Sequence, residues 1–321
     1  MDQDFSKMDQ FCIQASYNFA SSLVYKNFII MFGNAIANMV TLPGDSPVFN
    51  NPSEYGLDYE DVTFHAADGV ELSGWLVKGS TDQVIIQTHF AAQCCRSGYT
   101  PEGKGMIKLW DTDISFLNQT KYLNEAGYSV LLFDFRNHGH SAKGTNQYVT
   151  GGPEESKDVI AAVDFLAKHP VYKDAHIGLF SICMGTNATS FAFGVEGGLD
   201  TYENIKAYVS VQPLGYGDFM RNMGIPNFLV QSGNKANMER GGIDFEQQPF
   251  ENLKSVHCPV LLIQNMNDPW THLPSVQTYF DAIPTEKEYF QIHVEKKRAA
   301  AYDWVGKNST EVLSWFDKYM A

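Results

Sequence analysis

A thiol stands between two small residues in Ser181-Ile182-Cys183-Met184-Gly185, and that spacing gives it a chemical meaning. The apolar run Ile177-Gly178-Leu179-Phe180 before it reads as a strand, and a helix is expected from Met184. A nucleophile held on so sharp a strand-to-helix turn needs small flanking residues, because the two backbones crowd together there. The side chain then projects from the C-terminal edge of a sheet at the start of a helix, where the helix dipole favours a thiolate over a thiol. The Met184 N–H is a candidate donor to the oxyanion that forms when such a sulfur attacks a carbonyl. The plain alternative is an inert cysteine buried in the same turn.

Three further places could serve that chemistry. His89-Phe90 follows a short apolar run at 84–89, and the Phe90 N–H is the second candidate oxyanion donor. Asp268 lies just past a strand at 259–266, where a carboxylate could orient and charge-stabilise an imidazolium; its alternative is an Asx-turn before Pro269. The turn from Asp134 to Ser141 holds His138 and His140, which read first as loop residues.

These positions fall at the ends of regularly alternating elements. Strands are expected at 60–66, 71–78, 84–89, 128–135, 176–182, 205–211, 259–266 and 288–294. Helical periods separate them at 113–126, 154–168, from 184, at 274–282 and at 310–319. The first two strands read as a hairpin around Ala67-Asp68-Gly69. Buried strands alternating with amphipathic helices imply an α/β fold with a mostly parallel sheet covered on both faces. Residues 1–54 read as a helical extension and 55–321 as the main domain, with a small cap over the sheet at about 214–256. The cap aromatics Phe219, Phe228, Phe245 and Phe250 point to a hydrophobic substrate.

Bulk properties narrow the function classes. With 44% hydrophobic residues among 321, the chain can bury a large core. A net charge of −14 opposes nucleic acid and anionic membrane as partners. The apolar stretch at 28–40 is broken by Gly33, Asn34 and Asn38 and is too short to span a bilayer, so it reads as a helix packed on the domain. The acidic Met-Asp-Gln-Asp start lacks the positive charge of a signal peptide. Five cysteines without a disulfide framework or a CxxC pair fit a reducing, cytoplasmic setting and no zinc site. No nucleotide loop or metal cluster is evident, so neither a cofactor nor a metal is expected.

From about residue 55 to its end the chain resembles the α/β-hydrolase superfamily. Its cysteine elbow is similar to that of dienelactone hydrolases, which use a Cys-His-Asp triad to open a lactone. It also resembles a bacterial α/β-hydrolase group with a helical N-terminal extension, in Leu179-Phe180-Ser181-Ile182-Cys183-Met184-Gly185 and in Tyr302-Asp303-Trp304-Val305-Gly306. The resemblance implies a small-molecule acyl substrate (an ester, lactone or thioester) and a triad histidine in the loop after the last strand. That loop has no histidine where one is due, around Lys297 to Ala299, and continues into three consecutive alanines, Ala299 to Ala301. Three readings stay open: His293 serves as base, His89 does so, or the cysteine works without one. The last leaves room for a non-hydrolytic member of the fold, a cyclase, lyase or isomerase, or for a catalytically dead binding protein.

Overall fold

Buried runs of Val, Ile, Leu and Phe form the strands, as expected where both faces of a sheet are covered. The computed structural model describes residues 31–91, 93–105 and 108–321. Its main strands are β1 Tyr59–His65, β2 Glu71–Val77, β3 Gln83–Thr88, β4 Ser129–Phe133, β5 His176–Ile182, β6 Ile205–Val211, β7 Val260–Asn265 and β8 Lys287–Ile292. They form one sheet in the order β1-β2-β4-β3-β5-β6-β7-β8. β2 runs antiparallel to β1 and β4, and the remaining pairs are parallel.

Alternate residues along the strands feed two cores. On one face Val84, Ile86 and Leu131 pack beneath α2 (Ser156–Lys168), α3 (Met184–Phe193) and α6 (Leu273–Ala282). On the other, Ile85, Val130 and Leu132 pack beneath α1 (Leu117–Glu125), α7 (Arg298–Lys307) and α8 (Thr310–Met320). The helix expected over 113–126 begins later, because Ile114–Ser115 instead pairs with Gly98–Tyr99, which in turn pairs with Cys94–Cys95 in a small separate sheet.

Between β6 and β7 the chain builds α4 (Tyr216–Asn222) and α5 (Asn227–Glu239). Helical residues 31–41 lie on them, and Ala37, Val40, Met220, Val230 and Phe245 close a small core of their own. The helix at 31–41 and α5 approach closely at glycines. A Cβ on Gly33 would sit 2.6 Å from Ser232 Oγ, and one on Gly233 would sit 2.5 Å from Ile36. Residues 1–30 of the expected extension lie outside the described residues. Of the cap aromatics, Phe245 is core, Phe250 packs on the sheet side, Phe228 is 61% exposed and Phe219 faces the site below.

Candidate active site

Cys183 stands between β5 and α3 with φ 54° and ψ −106°, a backbone conformation that a non-glycine residue holds only under restraint. The restraints are visible. Its N–H donates to Val211 O at 2.8 Å, and the Thr186 hydroxyl donates to Ser181 O at 2.8 Å. The Gly185 N–H donates to His89 O at 3.1 Å, and a Cβ on Gly185 would lie 2.2 Å from Thr88 Oγ1. The small residue expected at 185 is therefore required by the close approach of β3.

The side chain of Cys183 is half-buried and lines a cavity of about 70 Å³. The other described cysteines differ from it. Cys94, Cys95 and Cys258 are buried, and burial pushes their thiols up, to about 11 for Cys95 and about 12 for Cys258. For Cys94 the Phe90 backbone N–H partly offsets that push.

A guanidinium occupies the space beside Cys183. Arg298, the first residue of α7, is 2% exposed. Its Nη1 donates to Asp268 Oδ2 at 2.5 Å and to Thr271 Oγ1 at 3.2 Å, and its Nε donates to the Tyr302 hydroxyl at 2.7 Å. Its Nη2 donates to the carbonyl of Gln212, a residue itself held at φ 55°. Cys183 is a side-chain hydrogen-bond partner and an electrostatic neighbour of both Arg298 and Tyr302. Burial works against the Arg298 charge, but Tyr302, Cys183 and Asp268 outweigh it and hold its proton more tightly than in ordinary arginine. Burial likewise raises Tyr302 well above an ordinary tyrosine, with Arg298 opposing.

Asp268 is where the sequence placed it, just past β7, with its side chain shielded from solvent. Oδ2 also accepts from the Thr271 hydroxyl at 2.7 Å, and Oδ1 accepts from the Trp270 N–H at 3.0 Å. The Asx-type turn is present, and the charged partner of the carboxylate is the Arg298 guanidinium rather than an imidazole.

Neither candidate histidine reaches the site. His89 is 1% exposed and both ring nitrogens are engaged: Nδ1 lies 2.7 Å from Phe90 O, and Nε2 accepts from the Phe135 N–H at 3.0 Å. Burial, His138 and Arg96 hold it neutral, well below the ordinary histidine range, although its bond to the Phe90 carbonyl pulls the other way. It wedges β3 against the turn after β4. His293 is exposed at the end of β8 and is not part of the cavity wall. Neither ring lines the cavity that Cys183 opens into.

Phe90, Met184, Asn187, Tyr216 and Trp270 share the cavity with Cys183, Arg298 and Tyr302. The Tyr216 hydroxyl is buried without a hydrogen-bond partner, the kind of group a bound oxygen could satisfy. No group of three or more His, Cys, Asp or Glu side chains among the described residues could hold a metal ion.

No family model matches the chain. It is similar to an esterase of Pyrococcus furiosus, Pf2001, at 21% identity and a TM-score of 0.64, over 88% of this chain and 99% of that one. It is also similar to the α/β hydrolase GrgF from Penicillium sp. sh18, at 17% identity and a TM-score of 0.58, over 82% and 99%. The chain has the α/β-hydrolase fold. In sequence it is 29% identical to the thiohydrolase aneE of Aspergillus aculeatus over 175 residues, which is 54% of this chain and 47% of that protein. The chain thus matches about half the length of that relative.

After β8, where an imidazole was expected, stands Arg298. Sequence reasoning looked for an imidazole at 297–299 and read the segment as a loop. It forms α7 instead, with Ala301 fully buried against the sheet and Ala299 and Ala300 half-buried. The overlooked signal was the alanines themselves, the strongest helix formers.

Proposed function

We propose that the protein is a cysteine-dependent acyl-transferring hydrolase whose preferred substrates are thioesters, acting from Cys183 with Arg298 in place of a histidine. The observation that carries this is the half-buried Cys183 sulfur at a strained turn, open to the cavity and flanked by a buried cation that Asp268 holds in place. The thiolate of Cys183 adds to the substrate carbonyl carbon. The Met184 amide and one amide of the Phe90–Ala91 turn receive the oxyanion. The bond from carbon to the leaving sulfur breaks, and the departing thiolate takes its proton from solvent. Water then cleaves the Cys183 thioester, releasing the acid and restoring the thiol.

Arg298 favours this substrate class over an ester. An alkoxide leaving group needs a proton donor with an accessible pKa, and an arginine cannot give up its proton. A thiolate leaves without that help. The sequence similarity to a protein named a thiohydrolase points the same way. The absence of histidine and carboxylate from the cavity wall among the described residues also favours a second outcome. With no base to activate water, an acyl group on Cys183 persists long enough for an internal nucleophile of the substrate to cyclise onto it.

Intact mass spectrometry after mixing with a simple alkanoyl thioester tests the reading. An acyl adduct in the wild-type chain, absent in Cys183→Ala, is expected. Thioester turnover undiminished in Cys183→Ala would overturn it.

A further inference from the structure

The wall of the Cys183 cavity facing the cap is contributed in part by a segment far from it in sequence. Met39 and Val40, from helical residues 31–41, and Leu42 after them all line the cavity. This strap is pinned from several sides. Arg240 Nη1 donates to Asn38 Oδ1 at 2.5 Å, Nη2 donates to the Thr41 hydroxyl, and the guanidinium stacks 3.7 Å over the Tyr148 ring. The Val149 N–H donates to Thr41 O at 2.7 Å, and the Gln93 N–H donates to Pro43 O at 3.1 Å. The titratable residues of the wall, Tyr216, Arg298 and Tyr302, are all electrostatically tied to Cys183. What the strap adds is wholly apolar.

We propose that this strap is the specificity element of the site: Met39 and Leu42 set the length of the alkyl group that can occupy the cavity while its reactive carbon is at Cys183. Val40 is 5% exposed and locked in the cap core, so it gives shape but little adjustment. Met39 is half-buried, unbranched and able to repack, and Leu42 sits at the rim, 36% exposed. The Arg240 latch, through Asn38 and Thr41, fixes the segment that carries both into the cavity wall. This deepens the acyl-site reading and rests on it for the substrate's identity. It rests only on the geometry for the length limit.

The probe is a series of N-alkyl iodoacetamides from ethyl to decyl, which alkylate a thiol without needing turnover. Cys183→Ala sets the background. In the wild-type chain, labelling should fall sharply beyond one chain length. Met39→Ala and Leu42→Ala should move that limit to longer chains, and Met39→Trp to shorter ones. A change of roughly tenfold at the lengths bracketing the limit is expected, the scale on which a pocket resolves one or two methylenes. Reaction with unsubstituted iodoacetamide should stay within about twofold, which also reports that each variant is folded. The same length profile in all three variants overturns the proposal, even if Cys183 forms an acyl adduct. A shifted profile with no acyl adduct supports the strap and overturns the acyl reading instead.

Discussion

A guanidinium keeps its proton throughout the range in which enzymes work, so Arg298 can orient and neutralise but cannot accept a proton from Cys183 or from water. Its contacts with Asp268, Thr271, Tyr302 and the Gln212 carbonyl fix it beside the sulfur. A charge-assisted bond of this kind is worth about 1.5–3 kcal/mol, so its loss should slow acylation roughly tenfold or more. Arg298→Ala and Arg298→Lys are therefore expected to slow adduct formation from a thioester, with lysine recovering part of the rate. His293→Ala should leave the rate unchanged. His89→Ala should lower stability, because it strips the acceptor from the Phe135 N–H. With no histidine among the described residues of the cavity wall, the acylation rate should show no imidazole inflection near pH ~6.5. Stopped mixing with mass detection checks the three rate predictions, and urea unfolding checks His89→Ala. An undiminished rate in Arg298→Ala would remove the cation from the mechanism.

At the scale of elements, the elbow works because β3, β5 and α3 converge within contact distance of Gly185. Gly185→Val places carbon where Thr88 Oγ1 and His89 O already lie, 2.2 and 2.9 Å from a Cβ, so the turn must open. Overpacking of this kind costs about 1–3 kcal/mol. We expect Gly185→Val to lose stability by that amount in urea and to lose nearly all acyl adduct. Full adduct formation would mean the turn does not hold Cys183 as described. This elbow was legible in the sequence, as were the eight strands, since buried apolar runs and small flanking residues are local signals. The cap helices were not, because α4 and α5 present few apolar residues and are held by contacts with residues 31–41, a partner distant in the chain. Arg298 was not legible either. Beside Lys296 and Lys297 it reads as surface charge, and only the docking of α7 over β7 turns it inward onto Asp268. His89 misled for the converse reason: its position after β3 is near the site, but the turn after β4 claims its ring.

Among the described residues, buried Glu155 is held by hydrogen bonds from Thr150 and Gly152, and other buried charges meet in ion pairs. Arg96 meets Asp134 at 2.8 Å, and Arg136 meets Asp158 at 2.7 Å, with both members of each pair nearly free of solvent. Arg136 also reaches the part-exposed Asp68 at 2.7 Å, so one guanidinium joins the β1–β2 turn, the turn after β4 and α2. Truncating one member of a buried pair strands the other, which typically costs ~3–5 kcal/mol, whereas a part-exposed partner is worth ~1 kcal/mol or less. Arg136→Met should therefore destabilise far more than Asp68→Ala in urea unfolding. Its deficit should also depend on pH, and the sign follows from Asp158. Burial is the largest influence on that carboxyl and pushes it up to about 7, from an ordinary 3.8, although Arg136 pulls it down. A carboxyl raised in the folded state binds more protons there than in the unfolded chain, so stability falls as pH rises through that window. Removing Arg136 removes the opposing pull and extends the window upward. The Arg136→Met deficit should accordingly be larger at pH 8 than at pH 5, and Arg136→Met with Asp158→Leu should recover part of the loss and lose most of the pH dependence. A deficit equal at both pH values would mean that Asp158 is not the group stranded by the substitution.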